Sequence, residues 1–114
     1  MGKNKIKTYQ GTIDTSDPLT DRRYVEVDGQ LLPPAATGFA DYAWGYAGSG
    51  PGRLADALCV SLIGAMDPDV RGVLLDLISN LDEDSDWTLT SDQFGIFLHS
   101  NLPPPLWAAI QHRF

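Results

Sequence analysis

The chain has 114 residues, of which 43% are hydrophobic and 10% aromatic, so it has apolar side chains for one modest core. Its net charge is −7, and no apolar run reaches the roughly 18 residues that a membrane helix needs. These features argue against a disordered chain, a transmembrane protein and a protein that binds nucleic acid directly.

The start of the chain and the single cysteine predict a cytoplasmic protein. Met1 to Lys7 is basic, but polar residues follow it where a signal peptide has an apolar core. Cys59 has no partner for an internal disulfide, and it lies in an apolar segment where a free thiol behaves as a small hydrophobe.

The charges are unevenly placed along the chain. Residues 1–23 hold five bases and three acids, a charge of +2, whereas residues 24–114 hold three bases and twelve acids, a charge of −9. We predict a basic, partly extended N-terminal segment over residues 1–22 and a single α+β domain over 23–114 with a proline-linked C-terminal helix.

Three segments in the first half predict a small antiparallel sheet. Ile6 to Ile13 supplies one strand, and the β-branched run Tyr24–Val27 supplies a second. Asp28-Gly29 favours a type I′ hairpin turn, so Gln30–Leu32 is the return strand. The 39–46 segment is expected to join this sheet.

An aromatic segment follows, in which Tyr42, Trp44 and Tyr46 alternate with Ala43 and Gly45. A period of two predicts a strand with three aromatic rings on one face and small residues on the other. The rings are interpreted as core packing, with an exposed recognition patch as the alternative.

A glycine-rich turn then leads into the helix that we expect to be central. Ser49 or Gly50 is the predicted cap and Pro51 the first-turn residue, and the helix ends near Gly64. Its side chains are apolar on nearly all sides, which indicates burial.

Two amphipathic helices with strong start signals come next. Asp67 precedes the first, whose apolar positions repeat at helical spacing up to Leu81. Thr90 and Gln93 form a capping box for the second, which ends near Asn101.

The C-terminal residues predict a proline link and one more short helix. Pro103-Pro104-Pro105 favours an extended connection, after which Leu106, Trp107 and Ile110 give a helix that docks or frays. An oligomer interface on the Trp107 helix is a further interpretation. The fold class is therefore α+β: an antiparallel sheet of about three strands packed on a central buried helix, with two or three further helices.

The glycine-rich turn is a candidate anion site, since backbone N–H groups at a helix start attract negative charge. Its spacing matches neither of the common phosphate-binding glycine motifs, and no lysine follows. Close packing of the helix on the aromatic segment is the preferred interpretation. The candidate anion-binding residues are Gly48, Ser49, Gly50 and Arg53.

The run Asp82-Glu83-Asp84-Ser85-Asp86 resembles the opening of a calcium-binding loop. Trp87 stands where that loop needs glycine, and Gln93 stands where it needs a bidentate glutamate, so we expect no metal. A solvated acidic loop before a capped helix fits the residues better.

Eight acids between residues 67 and 92 face a single base, Arg71. Spaced carboxylates can occupy a basic nucleic-acid channel on another protein by pairing with arginine and lysine. The simpler interpretation is that these charges only solubilise the chain. The predicted partner-binding residues are Asp76, Asp82, Glu83, Asp84, Asp86 and Trp87.

Signals for catalysis are few. His99 and His112 are the only imidazoles, no metalloprotease or nucleophile-elbow motif occurs, and nothing singles out a pair of aspartates for acid–base work. We predict no catalytic residues, no cofactor and no enzymatic activity.

The segment Trp44-Gly45-Tyr46-Ala47-Gly48-Ser49-Gly50-Pro51 resembles one shared by an uncharacterised family of small bacterial and phage-borne domains. Val27-Asp28-Gly29 and Trp87-Thr88-Leu89-Thr90 also resemble that family, and the likeness covers roughly residues 23–98. The basic N-terminus and the proline tail lie outside it. The resemblance implies a fold and a mobile-element context, and small acidic phage proteins include anti-CRISPR inhibitors.

Two functions follow as predictions. The first is a non-enzymatic protein-binding module from a phage or mobile element, acting as an inhibitor of host defence that covers a nucleic-acid-binding site on a basic protein partner. The alternative is a small-ligand or enzymatic domain that binds an anion or phosphate at the glycine-rich turn.

Overall fold

The computed structural model describes residues 5–16, 19, 22–35 and 40–114. Its elements are β1 (Thr8–Asp14), β2 (Arg22–Val27), β3 (Gln30–Leu31), α1 (Ser49–Ile63), α2 (Pro68–Ser79), β4 (Trp87–Thr90), α3 (Ser91–Asn101) and α4 (Pro104–Ile110). A 3₁₀ turn over Gln111–Arg113 follows α4. The predicted α+β class is confirmed.

The four strands form one antiparallel sheet in the order β3-β2-β1-β4. β1 pairs with β2 from Tyr9↔Val27 to Asp14↔Arg22 and with β4 from Thr8↔Thr90 to Gly11↔Trp87. The predicted N-terminal segment therefore supplies a whole strand of the sheet, β1, which lies between β2 and β4.

The hairpin turn between β2 and β3 has the predicted chemistry. Asp28 and Gly29 have φ angles of 51° and 84°, and a type I′ turn requires positive φ at both central positions. The Asp28 carboxylate also accepts a 2.9 Å hydrogen bond from the Thr8 N–H, so the turn holds the start of β1.

The prediction that the aromatic segment is a strand is wrong. Residues 40–46 form no strand, and residue 39 lies outside the described part of the chain. Gly45 has a φ of 88°, and its N–H donates to the Ile78 carbonyl of α2 at 3.0 Å. The three rings do not share a face, because Tyr42 and Trp44 are buried while Tyr46 is 44% exposed.

The fourth strand of the sheet is β4, a segment that was predicted to be part of a loop. Trp87–Thr90 covers the second side of β1 and runs directly into α3. The sheet therefore has four strands where about three were expected.

α1 is the central helix, as predicted. Nine of its residues are buried, including Leu54, Leu58 and Cys59, and it packs along α2. It ends at Gly64, whose φ of 77° is the left-handed conformation that glycine adopts without a steric cost. Its N-terminal cap is Gly48, however, and not the predicted Ser49 or Gly50.

The caps predicted for α2 and α3 are confirmed. The Asp67 carboxylate accepts the N–H groups of Asp69 and Val70 at 2.9 and 3.0 Å. Thr90 and Gln93 exchange the two bonds of a capping box, at 3.2 and 2.8 Å. Each cap satisfies donors that a helix start leaves without partners.

The proline run is not an extended link throughout. α4 begins at Pro104, and only Pro103 has the extended conformation, with φ −55° and ψ 141°. Prolines are tolerated in the first helical turn because that turn has no partner for an N–H. Trp107 of α4 stacks on His99 of α3 with ring centroids 4.8 Å apart, so the short helix docks.

None of the helices in the described ranges is long and apolar enough to cross a membrane.

Candidate protein-interaction site

The acidic loop, residues 82–86, joins α2 to β4 and is folded by its own first carboxylate. Asp82 Oδ1 accepts the Asp84 N–H at 2.9 Å, and Oδ2 accepts the Ser85 hydroxyl at 3.0 Å. The Asp84 bond, followed by the Ser85 bond, lowers the pKa of Asp82, because both favour the charged carboxylate. Asp82 therefore sets the shape of the loop.

The last carboxylate of the loop holds the sheet. Asp86 Oδ1 accepts the Ile13 N–H at 2.8 Å. The β1–β4 ladder ends at Gly11↔Trp87, so Asp86 provides an acceptor for β1 just beyond the last paired residues. This bond fixes one end of the acidic loop to the body of the protein.

Three residues outside the loop hold its backbone. Trp44 Nε1 donates to the Ser85 carbonyl at 3.0 Å, and the Arg23 guanidinium donates to the Glu83 carbonyl. Arg23 also lies over the Trp44 ring at 5.3 Å, a cation–π distance. Gly45 packs so closely on Glu83 that a Cβ would overlap it. Arg23 is not among the predicted site residues, since no local motif marks it as a support.

The two middle carboxylates of the acidic loop belong to Glu83 and Asp84. Both residues are exposed. The salt bridges among the described residues are Arg53–Asp41 at 3.7 Å and Arg71–Asp56, and neither includes the acidic loop. The loop therefore presents two charged groups that form no salt bridge with the cations of the described residues.

The other predicted partner-binding residues have different positions. Asp76 is exposed on α2, and its carbonyl accepts the Asn80 side chain at 2.7 Å. Trp87, also predicted to bind the partner, is only 8% exposed. Its ring meets Trp44 edge to face at 5.8 Å and fills the space that Gly11 leaves on β1.

The glycine-rich turn lets the start of α1 pack closely against the aromatic segment. A Cβ on Gly50 would come within 2.8 Å of Ala43 Cβ and 3.3 Å of the Tyr46 hydroxyl. Pro51 has no N–H, and the Gly52 N–H donates to the Gly48 carbonyl at 3.0 Å. The backbone donors that remain for an anion are those of Gly48, Ser49 and Gly50, and Arg53 lies 3.7 Å from the Asp41 carboxylate.

The cysteine and one histidine that could carry chemistry, Cys59 and His99, are engaged in contacts within the fold. Burial raises the pKa of the Cys59 thiol, which disfavours the nucleophilic thiolate, and Cys59 Sγ donates to the Ala65 carbonyl at 3.3 Å. His99 is stacked on Trp107. Within the described ranges, no three His, Cys, Asp or Glu side chains are grouped closely enough to hold a metal ion.

A family model matches residues 7–100 of this chain, and its description is a family of unknown function, DUF6166. The chain therefore belongs to that family. The match includes β1, so the expectation that the N-terminal segment lies outside the family is wrong from residue 7 onward. No curated protein and no solved structure matches the chain.

Proposed function

We propose that this member of the DUF6166 family is a protein-binding module that uses its acidic loop to bind a basic surface on a partner protein. One observation carries the proposal. The carboxylates of Glu83 and Asp84 are exposed and outside every salt bridge described above, while Asp82 and Asp86 fix the loop that presents them. A loop already held in one conformation loses less entropy on binding.

The charge of the chain supports a basic partner. The net charge is −7, and carboxylates pair with arginine and lysine through charge-assisted hydrogen bonds. Charges at the rim of an interface steer the encounter and select the partner. Asp76, exposed on the neighbouring helix α2, extends the same sign of charge.

The finer proposal concerns the identity of the partner. We propose that it is a nucleic-acid-binding protein, that the acidic loop covers the surface on which phosphates bind, and that the module inhibits its target. The setting is a bacterium or a phage, where such inhibition would act on a host defence complex as anti-CRISPR proteins do. We place this activity in the cytoplasm, where a free Cys59 stays reduced. The negative net charge of the chain supports a nucleic-acid-binding partner, and the free Cys59 supports the cytoplasm.

Affinity capture from the native host tests the proposal. The bait variants are Glu83→Gln/Asp84→Asn in the acidic loop and, as a control matched in charge, Asp69→Asn/Asp92→Asn in the first turns of α2 and α3. Asp82 and Asp86 are left intact because they hold the loop. We expect the wild type and the control to capture the same basic protein and the loop variant to lose most of it.

Equal capture by all three baits would contradict the role of the acidic loop. Loss of the partner from the control as well as from the loop variant would show that total charge alone matters. Circular dichroism and unfolding of each bait establish that the variants are folded before capture is compared.

A further inference from the structure

A cavity of about 340 Å³ lies on the surface between the N-terminal residues, α1, the start of α3 and the C-terminal 3₁₀ turn. Its lining combines two kinds of group that bind anions. Lys5, Lys7 and Arg113 supply cations, and Tyr9, Ser61 and Ser91 supply hydroxyls. We call these six residues the basic cleft.

The positive charge of the basic cleft is unusual in this chain. Three of the eight lysine and arginine residues line it, whereas the net charge of the chain is −7. None of the residues lining it is an aspartate or a glutamate, and its three cations form no salt bridge with any residue that the structure describes. Like charges held together without a counter-charge attract an anion.

The floor of the basic cleft is fixed by the sheet. The Lys7 N–H donates to Ser91 Oγ at 3.0 Å, and the Ser91 N–H donates to the Lys7 carbonyl at 2.8 Å. Tyr9 is fully buried on β1, and its ring meets Phe94 edge to face at 5.4 Å. The Arg113 guanidinium lies over Gly64, where α1 ends. N-terminal residues and C-terminal residues thus line the same cavity.

The hydroxyl groups have protons to donate. Tyr9 and Ser61 share one hydrogen bond of 2.7 Å, which ties the buried Tyr9 hydroxyl to α1. Ser91 Oγ accepts from Lys7 and keeps its own proton. The charge of the three cations exceeds that of a single carboxylate, and the Ser91 proton is a further donor. They suit a phosphate group, which has three acceptor oxygens and a charge of about −2.

We propose that the basic cleft binds a small phosphorylated ligand, a phosphate monoester or diphosphate carried on a small molecule. The volume is at the lower end of the range for small-molecule sites. A nucleic acid is excluded as the favoured ligand, because the rest of the chain repels a long polyanion. The site is separate from the acidic loop, so this inference stands whether or not the loop binds a protein.

Titration with pyrophosphate, followed by amide NMR shifts and thermal unfolding, tests the basic cleft. We expect pyrophosphate to raise the unfolding temperature and to shift the amides of Lys7, Ser91 and Arg113. The variant Lys7→Gln/Arg113→Gln removes two cations at exposed side chains and should weaken binding by about tenfold or more, since it removes charge-assisted bonds.

Arg22→Gln/Arg53→Gln is the matched control, because it removes the same charge elsewhere, including the base of the glycine-rich turn. It should leave binding within about twofold of the wild type, because neither arginine lines the basic cleft. The absence of shifts at millimolar pyrophosphate, or equal loss in both variants, would overturn the proposal. Acetate binding as tightly as pyrophosphate would overturn the phosphate assignment, and tighter binding of a single-stranded oligonucleotide would overturn the small ligand.

Discussion

At the scale of single residues, Gly11 in the middle of β1 is a position where a side chain has no room. It pairs with Trp87 across the sheet, and the indole ring of Trp87 occupies the space where a side chain at position 11 would stand. The same ring supports Trp44, whose Nε1 holds the acidic loop through Ser85. A missing side chain on one strand therefore contributes to the shape of a distant loop.

Substitution of Gly11 tests this packing. Gly11→Ala should destabilise the protein by about 3 kcal/mol or more, since the new Cβ overlaps the Trp87 ring and the surrounding core must shift. Gly72→Ala is the control, because a Cβ at that exposed position of α2 meets nothing within 4 Å. The control should stabilise by about 1 kcal/mol through helix propensity. Urea unfolding measures both, and a Gly11→Ala variant as stable as the wild type would refute the contact.

Tyr42 makes the stability depend on pH. Burial raises the pKa of its hydroxyl from 10.0 to about 12, and that hydroxyl donates to the Leu32 carbonyl at 3.0 Å. A raised pKa means that the folded state keeps the proton when the unfolded state loses it. The contribution is thus full below pH 10 and is lost as the pH rises from 10 to about 12.

Tyr42→Phe should cost about 1 kcal/mol at neutral pH through the lost hydrogen bond and should reduce the alkaline loss of stability. Burial also raises the pKa of Tyr9, so part of the alkaline loss should remain in the variant. Urea unfolding at neutral and alkaline pH measures the effect. An unchanged alkaline slope in Tyr42→Phe would contradict the assignment.

At the scale of secondary-structure elements, the sequence predicts what depends on neighbouring residues. α2 and α3 start at Asp67 and Thr90 as expected, because a cap acts within one helical turn. The strand predicted for the aromatic segment was wrong because its conformation depends on a residue distant in the sequence. Its period of two is local, but Gly45 turns the backbone and bonds to Ile78 instead of a strand. β4 was missed because its partner β1 lies nearly at the other end of the chain.

In the candidate site, too, some features could be predicted from neighbouring residues and others depend on distant ones. Composition predicts an acidic loop between α2 and α3, and that much needs only the run of acids. Which carboxylates fold the loop and which face solvent depends on Ile13, Arg23 and Trp44, all distant in the sequence. The basic cleft could not be predicted either, since its cations come from both termini and meet only in the folded chain.

Two aspartates of the acidic loop should respond differently to truncation. Asp86→Ala removes the acceptor of the Ile13 N–H and should destabilise the fold by about 1 kcal/mol or more. Asp84→Ala removes an exposed carboxylate that forms no salt bridge in the described structure, and should change stability by less than about 0.5 kcal/mol. Urea unfolding and exchange of the Ile13 amide measure the difference. Equal stability and equal exchange in the two variants would contradict the division of roles.

At the scale of the whole molecule, charge is separated into two places. The acidic loop presents carboxylates that no cation of the described chain neutralises, and the basic cleft gathers three cations with no carboxylate among its lining residues. Both features are attached to β1, through Ile13 near one end and Tyr9 near the other, where Lys7 directly precedes the strand. The sheet thus gives each charged feature a support, which lowers the entropy that is lost on binding.

The salt dependence of partner binding tests the central claim most directly. The dissociation constant of the captured partner is measured from low to high salt for the wild type, Glu83→Gln/Asp84→Asn and Asp69→Asn/Asp92→Asn. If the acidic loop forms the contact, the loop variant binds about tenfold or more weakly at low salt and depends less on salt, whereas the control follows the wild type. The same affinity and the same salt dependence in all three proteins would contradict the claim.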